Sequence, residues 1–193
     1  MSRPYELIPL VERTPEWWAW RRGGIGSSDA PGILGDKRAK SAERLLLEKQ
    51  PDAAVPPSTF AREQGVRLER AARAAYVATL GVVVEPACVQ SVARPWQRAS
   101  LDGLSPDGAR AVEIKCGQAN HQRASAKGRP PSHHYAQLQH ILAVTGLPVV
   151  DYWCFLPGRP GVRIEVPRDQ PYILRLLAAE EAFLARMEAK RLG

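Results

Sequence analysis

The sequence is poor in cysteine and has no long apolar run. Its three cysteines, Cys88, Cys116 and Cys154, are scattered and form no CxxC pair. Their odd number and spacing argue against a disulfide framework or a structural zinc site and fit a reducing compartment. No stretch of about 18 consecutive apolar residues predicts a membrane span, and the first residues lack the apolar segment of a signal peptide. We therefore expect a cytoplasmic protein with no membrane association.

The composition favours a folded domain with an anionic partner. A length of 193 residues suits one domain over 1–193, and 45% hydrophobic residues are enough for a core. The formal net charge of +7 favours negatively charged partners, of which nucleic acid is the commonest. Charge alone does not identify the partner, and more specific information comes from the sequence motifs.

Capping residues and hydrophobic periodicity predict an alternation of helices and strands. Helices are predicted over 15–22, 27–35, 41–49, 58–80, 132–146 and 168–191, and strands over 82–92, 97–104, 110–116, 149–156 and 161–166. The short helix at 27–35 is expected to begin at a capping Ser27 or Ser28, and 117–131 is expected to be a loop. This order predicts an α/β (α+β) fold with a central mixed sheet flanked by helices.

The strand at 110–116 is apolar except for two charged residues. Because side chains alternate between faces, Glu113 and Lys115 share one face. A two-residue turn before this strand places Asp102 opposite Glu113, roughly 5 Å away, and a four-residue loop places it diagonally, roughly 7–8 Å away. A three-residue loop would put Asp102 on the other face. In either even register two carboxylates lie close enough to hold one cation.

Such a pair of carboxylates suits a hard divalent cation such as Mg²⁺, which prefers oxygen ligands. A neighbouring lysine can orient or deprotonate an attacking water, or stabilise developing negative charge. The simpler alternative is a solvated hairpin with a cross-strand salt bridge. The apolar surroundings of Glu113 and Lys115 in AVEIKCG favour the metal-site interpretation.

Four sequence blocks, in order over roughly 14–146, resemble one nuclease family. They are PEWWAWRRGGIGSSDAPGILG, GVRLERAARAAY, SLDGLSPDGARAVEIKCG and YAQLQHILAVTG. The set resembles the PD-(D/E)xK superfamily and, more closely, the YqaJ-like viral recombinases and the bacteriophage lambda exonuclease group. Leu101 stands where the superfamily name has a proline before the first acid, a position at which that proline is often absent. The resemblance implies a restriction-endonuclease-like core.

The resemblance also implies roles for the acids, the lysine and a glutamine. Asp102 and Glu113 are expected to bind the metal with the Ile114 carbonyl, and Lys115 to act on the water. Glu69, on the long helix, is expected to be an additional acid that holds either metal-bound water or a second ion. The alternatives are that Glu69 only pairs with Arg67, Arg70 or Arg73, or that Glu63 takes its place. Gln137 is expected to contact the water, the lysine or a phosphate.

Other residues are expected to bind DNA. Arg21 and Ser28 match the family's phosphate-binding pair, and a Gly-rich turn leading into a helix start suits an anion. Arg22 and Ser27 are the alternatives for these two positions. Tyr135 and the basic residues of the 117–131 loop complete the expected DNA contacts: Arg123, Lys127 and Arg129. The tryptophans at 17, 18 and 20 are expected to pack in the core, and the histidines at 133, 134 and 140 to face the surface or DNA.

The family's activity follows as an expectation. It implies Mg²⁺-dependent digestion, with Mn²⁺ as a substitute, of one strand at double-stranded DNA ends in the 5′→3′ direction, leaving 3′ overhangs. It further implies a ring-shaped homotrimer and a single-strand annealing protein as partner, in a phage or prophage recombination system of a bacterial cell. The alternatives are a structure- or sequence-specific endonuclease on the same core and a non-catalytic DNA-binding module.

Overall fold

A computed structural model describes residues 3–55 and 60–192. Within this part of the chain the strands are β1 (Tyr5–Ile8), β2 (Ile25–Gly26), β3 (Glu85–Ser91), β4 (Gln97–Leu104), β5 (Ala111–Cys116), β6 (Val149–Phe155) and β7 (Val162–Pro167). The helices are α1 (Pro15–Arg22), α2 (Ala30–Ile33), α3 (Ala42–Glu48), α4 (Phe60–Leu80), α5 (Gln118–Lys127), α6 (Ser132–Thr145) and α7 (Gln170–Leu192).

The strands form one sheet in the order β1-β3-β4-β5-β6-β7, with β2 paired to β4. The β5–β6 and β2–β4 pairs are parallel and the others are antiparallel. One core cluster contains Leu138, Ile141 and Leu142 of α6, whereas a second contains Ala72 and Tyr76 of α4. The prediction of a mixed sheet flanked by helices is confirmed.

Local sequence signals explain where several elements begin and end. The Thr14 hydroxyl accepts a hydrogen bond from the Trp17 N–H at 3.3 Å, so it caps α1 as the sequence predicts. Gly81 ends α4 with a φ of 67°, in the left-handed region that favours glycine. Pro86 has no N–H to give the sheet, and the β3–β4 register shifts between Glu85 and Ala87.

The region 117–131 differs from the predicted loop. It contains α5, which follows Gly117 and ends at Gly128, whose φ is 58°. No helical pattern is visible in the sequence here, because Ala124 is the one residue of α5 that is buried. A helix without an apolar stripe has no hydrophobic period that a sequence pattern can detect.

The region 27–35 also differs from its prediction, and two strands were not predicted. A 3₁₀ turn, Ser27–Asp29, precedes α2, and the residue before this turn is Gly26, so neither serine is the cap. The Asp29 carboxylate accepts from the Gly26 N–H at 2.9 Å instead. Strands β1 and β2 have only four and two residues, too few to show an alternating pattern. Residues 58–59 of the predicted long helix lie outside the described residues.

In the parts of the chain at 3–55 and 60–192, no helix combines the length and the apolar character that a bilayer crossing needs.

Candidate active site

The hairpin of β4 and β5 places the two predicted acids face to face. Gly103 pairs with Val112 and Leu104 with Ala111, so Asp102 continues this register opposite Glu113. This is the closer of the two registers that the sequence allows. The ladder ends at this point, and the Asp102 Oδ2 atom accepts a hydrogen bond from the Ile114 N–H at 2.7 Å. The strands therefore open around the carboxylate of Asp102.

The Glu113 carboxylate has two unlike oxygen atoms. Its Oε1 accepts hydrogen bonds from Lys115 Nζ at 2.6 Å and from Gln137 Nε2 at 2.7 Å. Its Oε2 is buried and has no hydrogen-bond partner among the described residues. A buried polar atom without a partner is costly, so Oε2 is the atom of this site that most needs a ligand.

The electrostatics of the hairpin are unbalanced. Loss of surrounding water and the nearby Glu113 charge raise the pKa of Asp102 well above its usual range. Burial would lower the pKa of Lys115, but the Glu113 and Asp102 carboxylates raise it. The two acids thus hold the lysine as a cation, and one ammonium group does not compensate two facing carboxylates.

These donors fit a hard cation. Asp102 and Glu113 supply carboxylate oxygens, one of them unpartnered, and the Ile114 carbonyl is on the same strand. Among residues 3–55 and 60–192, no group of three or more His, Cys, Asp or Glu side chains lies close enough to hold a metal. A cation here would therefore take further oxygen ligands from water or substrate, as Mg²⁺ commonly does.

Glu69 of α4 lines a cavity of about 260 Å³ that also contains Asp102 and Glu113, called here the hairpin cavity, and Glu69 is also paired. Its Oε1 accepts from Arg73 Nη2 at 3.1 Å, and Arg73 Nε donates to the Asp102 carbonyl at 2.7 Å. Arg73 therefore fixes Glu69 against the hairpin. Of the three arginines weighed for this pair, Arg73 is the one in contact. Glu63 does not line the hairpin cavity, whereas Glu69 does.

Arg21 and Ser28 contact each other at the opposite side of the cavity. The Arg21 guanidinium donates to the Ser28 hydroxyl and lies 3.6 Å from Asp29. Burial alone would raise the pKa of Asp29, but Lys49, 2.6 Å away, and Arg21 lower it to about 2. Asp29 is therefore ionised and anchors Arg21. The Gly-rich turn after α1 leaves no room for a side chain at Gly24, because a Cβ there would lie 2.4 Å from the Trp96 carbonyl oxygen.

The hairpin cavity brings most of the predicted residues together. Its predicted members are Arg21, Ser28, Glu69, Asp102, Glu113, Ile114, Lys115 and Gln137. Its other lining residues are Glu12, Arg13, Trp17, Trp20, Gly26, Ser27, Arg98 and Ser100. Acids gather at the hairpin and cations at the α1 side, so the cavity suits a phosphodiester next to a cation.

The remaining predicted DNA-binding residues do not line this cavity. Tyr135 donates its hydroxyl to Asp169 at 3.0 Å and packs edge-on to Tyr172, so its contacts are with α7 and the residue before it. Arg123 and Lys127 are exposed on α5, and Arg129 is exposed just after it. These cations form a separate basic surface on a helix, where the sequence predicted a loop.

The histidines correct one prediction. His140 does not face the surface, because it is fully buried, with Nδ1 2.6 Å from Glu180 and Nε2 2.9 Å from the Arg98 carbonyl. Burial would lower the pKa of His140, but Glu180 raises it. His134 is partly buried with Nδ1 2.7 Å from the Tyr152 hydroxyl, and burial and Lys115 lower its pKa to about 3.

Sequence reasoning missed several residues of the site. Lys49 is 4% exposed and neutralises Asp29, although the sequence of α3 does not distinguish it from a surface lysine. Glu12 lines the cavity, and burial and the Glu69 charge raise its pKa. Trp17 is buried as predicted and its indole N–H donates to Ser100 at 2.9 Å, whereas Trp18 and Trp20 are partly exposed, contrary to the prediction that they pack in the core. Only the three-dimensional arrangement identifies these contacts.

Comparisons with known proteins agree with this geometry. A family model described as the YqaJ-like viral recombinase domain matches residues 16–148. The match covers more than half of the sequence, so the chain belongs to this family, as the four sequence blocks predict. A search of curated proteins finds no match.

Solved structures give the same assignment. The chain is similar to LHK-Exo, an alkaline exonuclease from Laribacter hongkongensis, with a TM-score of 0.79, 26% identity and coverage of 92% of this chain and 94% of that chain. A structure of LHK-Exo in complex with dAMP gives 27% identity with the same TM-score and coverage. A phage-related exonuclease from Haemophilus somnus 129PT shares the fold, with a TM-score of 0.58, 14% identity and coverage of 86% and 96%.

Proposed function

We propose that the protein is a Mg²⁺-dependent exodeoxyribonuclease that digests one strand of linear duplex DNA. The observation that carries this proposal is the facing pair of Asp102 and Glu113, whose buried Oε2 atom has no partner among the described residues. The similarity to alkaline exonucleases supports it. The alternative hypothesis of a non-catalytic DNA-binding module does not explain why two facing carboxylates are accompanied by a single lysine.

Asp102, Glu113 and the Ile114 carbonyl are the groups that would hold Mg²⁺, with Mn²⁺ as a substitute. When bound, such a cation lowers the pKa of water and stabilises charge on the transferring phosphoryl group. Gln137 and Lys115 both donate to Glu113 Oε1, which would leave Oε2 free to hold the cation. Ile114 fixes Asp102 through its N–H in the same way.

Lys115 is the group placed to act on the attacking water. Its Nζ lies 2.6 Å from Glu113 Oε1 and its side chain is 23% exposed at the cavity. A cation in this position can orient the water and stabilise the negative charge that develops on the phosphate. Glu69, fixed by Arg73, can accept a hydrogen bond from water on the other side of Asp102.

Arg21 and Ser28 would bind a phosphate group at the end of the digested strand. The guanidinium is held by Asp29 and the hydroxyl is exposed, so both can turn donors towards an anion. A site for a terminal 5′-phosphate accounts for 5′→3′ polarity and for 3′ overhangs as product. The exposed cations Arg123, Lys127 and Arg129 would contact the duplex backbone.

The family context extends the proposal to partners. We propose a ring-shaped homotrimer around the duplex and a single-strand annealing protein that receives the 3′ overhang, acting in the cytoplasm of a bacterial cell during phage-type recombination. The membership in the YqaJ-like viral recombinase family supports this part.

Digestion of a linear duplex tests the proposal. The substrates are one duplex labelled at either the 5′ or the 3′ end and a covalently closed circle, each incubated with Mg²⁺ or with a chelator. We expect Mg²⁺-dependent release of 5′-terminal nucleotides and an intact circle. Nicking of the circle would identify an endonuclease, and no Mg²⁺-dependent release would reject nuclease activity.

A further inference from the structure

A second cavity lies beside the hairpin cavity. It has a volume of about 460 Å³, and its wall includes Arg13, Trp17 and Arg21, which also line the hairpin cavity. Neither Asp102 nor Glu113 lines it. We call it the α1 cavity because Trp17, Trp18, Arg21 and Arg22 of α1 form much of its wall.

The lining of the α1 cavity has an excess of positive charge. Five cations and two carboxylates line it. The carboxylates are already neutralised, because Asp29 pairs with Lys49 and Glu48 pairs with Lys40. The side chains of Arg13 and Arg22 make no hydrogen bond or ion pair with another described residue. These two guanidinium groups are therefore available to an anion.

The same cavity has an aromatic wall. The rings of Trp17 and Trp18 meet edge to face with centroids 4.6 Å apart. Trp17 is buried and holds this arrangement, whereas Trp18 is partly exposed and lines only the α1 cavity of the two. A tryptophan face is a good platform for a nucleic-acid base and tolerates any of the four bases.

Arg13 stands where the two cavities meet, with an unusual backbone. Its φ is 72°, and no other non-glycine among the described residues has a positive φ. Such a conformation is costly for a residue with a Cβ and occurs often at binding sites. Arg13 lines both cavities, so it is positioned to contact a phosphate that passes between them.

We propose that the α1 cavity binds one nucleotide unit, with its base against Trp18 and its phosphate between Arg13 and Arg22. The volume suits a ligand of this size. The identity of the ligand rests on the proposed nuclease function, since the site adjoins the one where a terminal nucleotide would be released. The nucleotide is either a released monophosphate or the first unit of a 5′ single-stranded tail.

Calorimetric titration of dAMP into the chelator-treated protein tests the site without any reaction. Arg22→Ala is expected to weaken dAMP binding by about tenfold or more, the effect of one charge-assisted contact. Trp18→Ala should weaken it similarly, and Trp18→Tyr should retain most of the affinity because a ring remains. Deoxyadenosine and inorganic phosphate should each bind more weakly than dAMP.

Two control variants locate the bound nucleotide. Arg175→Ala removes an exposed arginine of α7 that lines neither cavity, and it should leave dAMP affinity within about twofold. Asp102→Asn changes only the hairpin cavity and should also leave the dAMP affinity within about twofold of wild type. The inference fails if wild type does not bind dAMP, if Arg22→Ala matches Arg175→Ala, or if Asp102→Asn alone loses binding.

Digestion assays then separate the two sources of the nucleotide. If a 5′ tail occupies the site, Arg22→Ala should lower the ratio of rates on tailed to blunt duplexes. If a released nucleotide occupies it, added dAMP should inhibit wild type on blunt duplexes and inhibit Arg22→Ala less. Absence of both responses would overturn a role of the site in the reaction. If Asp102→Ala still digests DNA, the proposed nuclease site is wrong. The dAMP titration would still test binding in the α1 cavity, because it does not depend on digestion.

Discussion

Asp29 is buried in the wall of the α1 cavity, whereas Asp102 is partly buried in the hairpin cavity, and the two carboxylates have opposite electrostatics. Asp29 contacts Lys49, Arg21 and the Gly26 N–H, and its pKa falls to about 2. Asp102 faces a second carboxylate, and its pKa rises well above the usual range. Both lose water on folding, so burial alone does not explain the difference.

The difference separates a structural charge from a functional one. Around Asp29 the protein supplies all the positive charge, and Arg21 is held in place as a result. Around Asp102 and Glu113 it supplies one lysine and leaves one carboxylate oxygen without a partner among the described residues. A cation from solution would complete the second site but has no role at the first.

The largest effect is expected from removing a hairpin carboxylate. Asp102→Ala and Glu113→Ala should each lower the digestion rate on the order of 10³-fold or more, because several kcal/mol of metal-dependent stabilisation is lost. Initial rates on a linear duplex and an affinity measurement on the same DNA check this. Folding and DNA binding should change little, and cleavage near the wild-type rate in either variant would refute the assignment.

Asp29→Asn should act on stability instead. It leaves Lys49 buried without its partner, which costs about 3–5 kcal/mol in comparable buried pairs. The matched variant Asp102→Asn removes a repelled charge and should retain or raise the free energy of unfolding in the presence of a chelator. Urea denaturation of both variants measures the contrast, and equal destabilisation would remove the distinction between the sites.

Lys115→Ala should separate activity from metal binding. We expect digestion to fall by about 10²–10³-fold, since a charge that stabilises the transition state is lost. Calorimetric titration with Mn²⁺ should stay near normal because the lysine contacts Glu113 Oε1, not Oε2. A joint loss of metal binding and activity would make Lys115 structural.

Arg21→Ala should narrow the preference for 5′-phosphorylated ends. Loss of a charge-assisted contact costs roughly 1.5–3 kcal/mol, or about tenfold or more in rate. A 5′-hydroxyl end lacks the extra phosphate charge, so its rate should fall less. The control is Arg123→Ala on α5, which should weaken both ends alike and reduce the salt dependence. If Arg21→Ala lowers the digestion rates on 5′-phosphorylated and 5′-hydroxyl ends by the same factor, Arg21 does not bind the terminal phosphate.

The smallest effect is a pH dependence with a defined sign. The pKa of Asp29 is about 2 in the folded protein and 3.8 in the reference state. Its depressed pKa contributes about 2 kcal/mol of stability above pH 4, which is lost as pH falls from about 4 to 2. The stability difference between wild type and Asp29→Asn should therefore shrink over this interval. If the stability difference between wild type and Asp29→Asn stays constant below pH 4, Asp29 is not ionised in the folded protein.

The hairpin was predictable because its signals are local. Strand alternation puts Glu113 and Lys115 on one face, and the turn sets the register of Asp102. The order of the four sequence blocks then identified the family. Helix periodicity likewise separates Gln139 from Gln137, two positions earlier on α6: Gln139 is buried and donates to the Pro167 carbonyl.

Other features depend on contacts between distant residues or on weak patterns. Lys49, which directly follows α3, meets Asp29 because α3 packs against α2, and nothing in its local sequence indicates burial. Helix α5 has no apolar stripe, so its composition resembled a loop. His140 pairs with Glu180, forty positions away, and a histidine on a helix does not reveal such a partner.

Calorimetric titration of Mn²⁺ into the chelator-treated protein tests the central claim most directly. Wild type, Glu113→Gln and Asp102→Asn are compared at one pH and salt concentration. We expect Mn²⁺ to bind the wild-type protein and neither variant, because each substitution removes a carboxylate ligand. No binding to wild type, or equal binding to all three proteins, would contradict the assignment of the hairpin as a cation site.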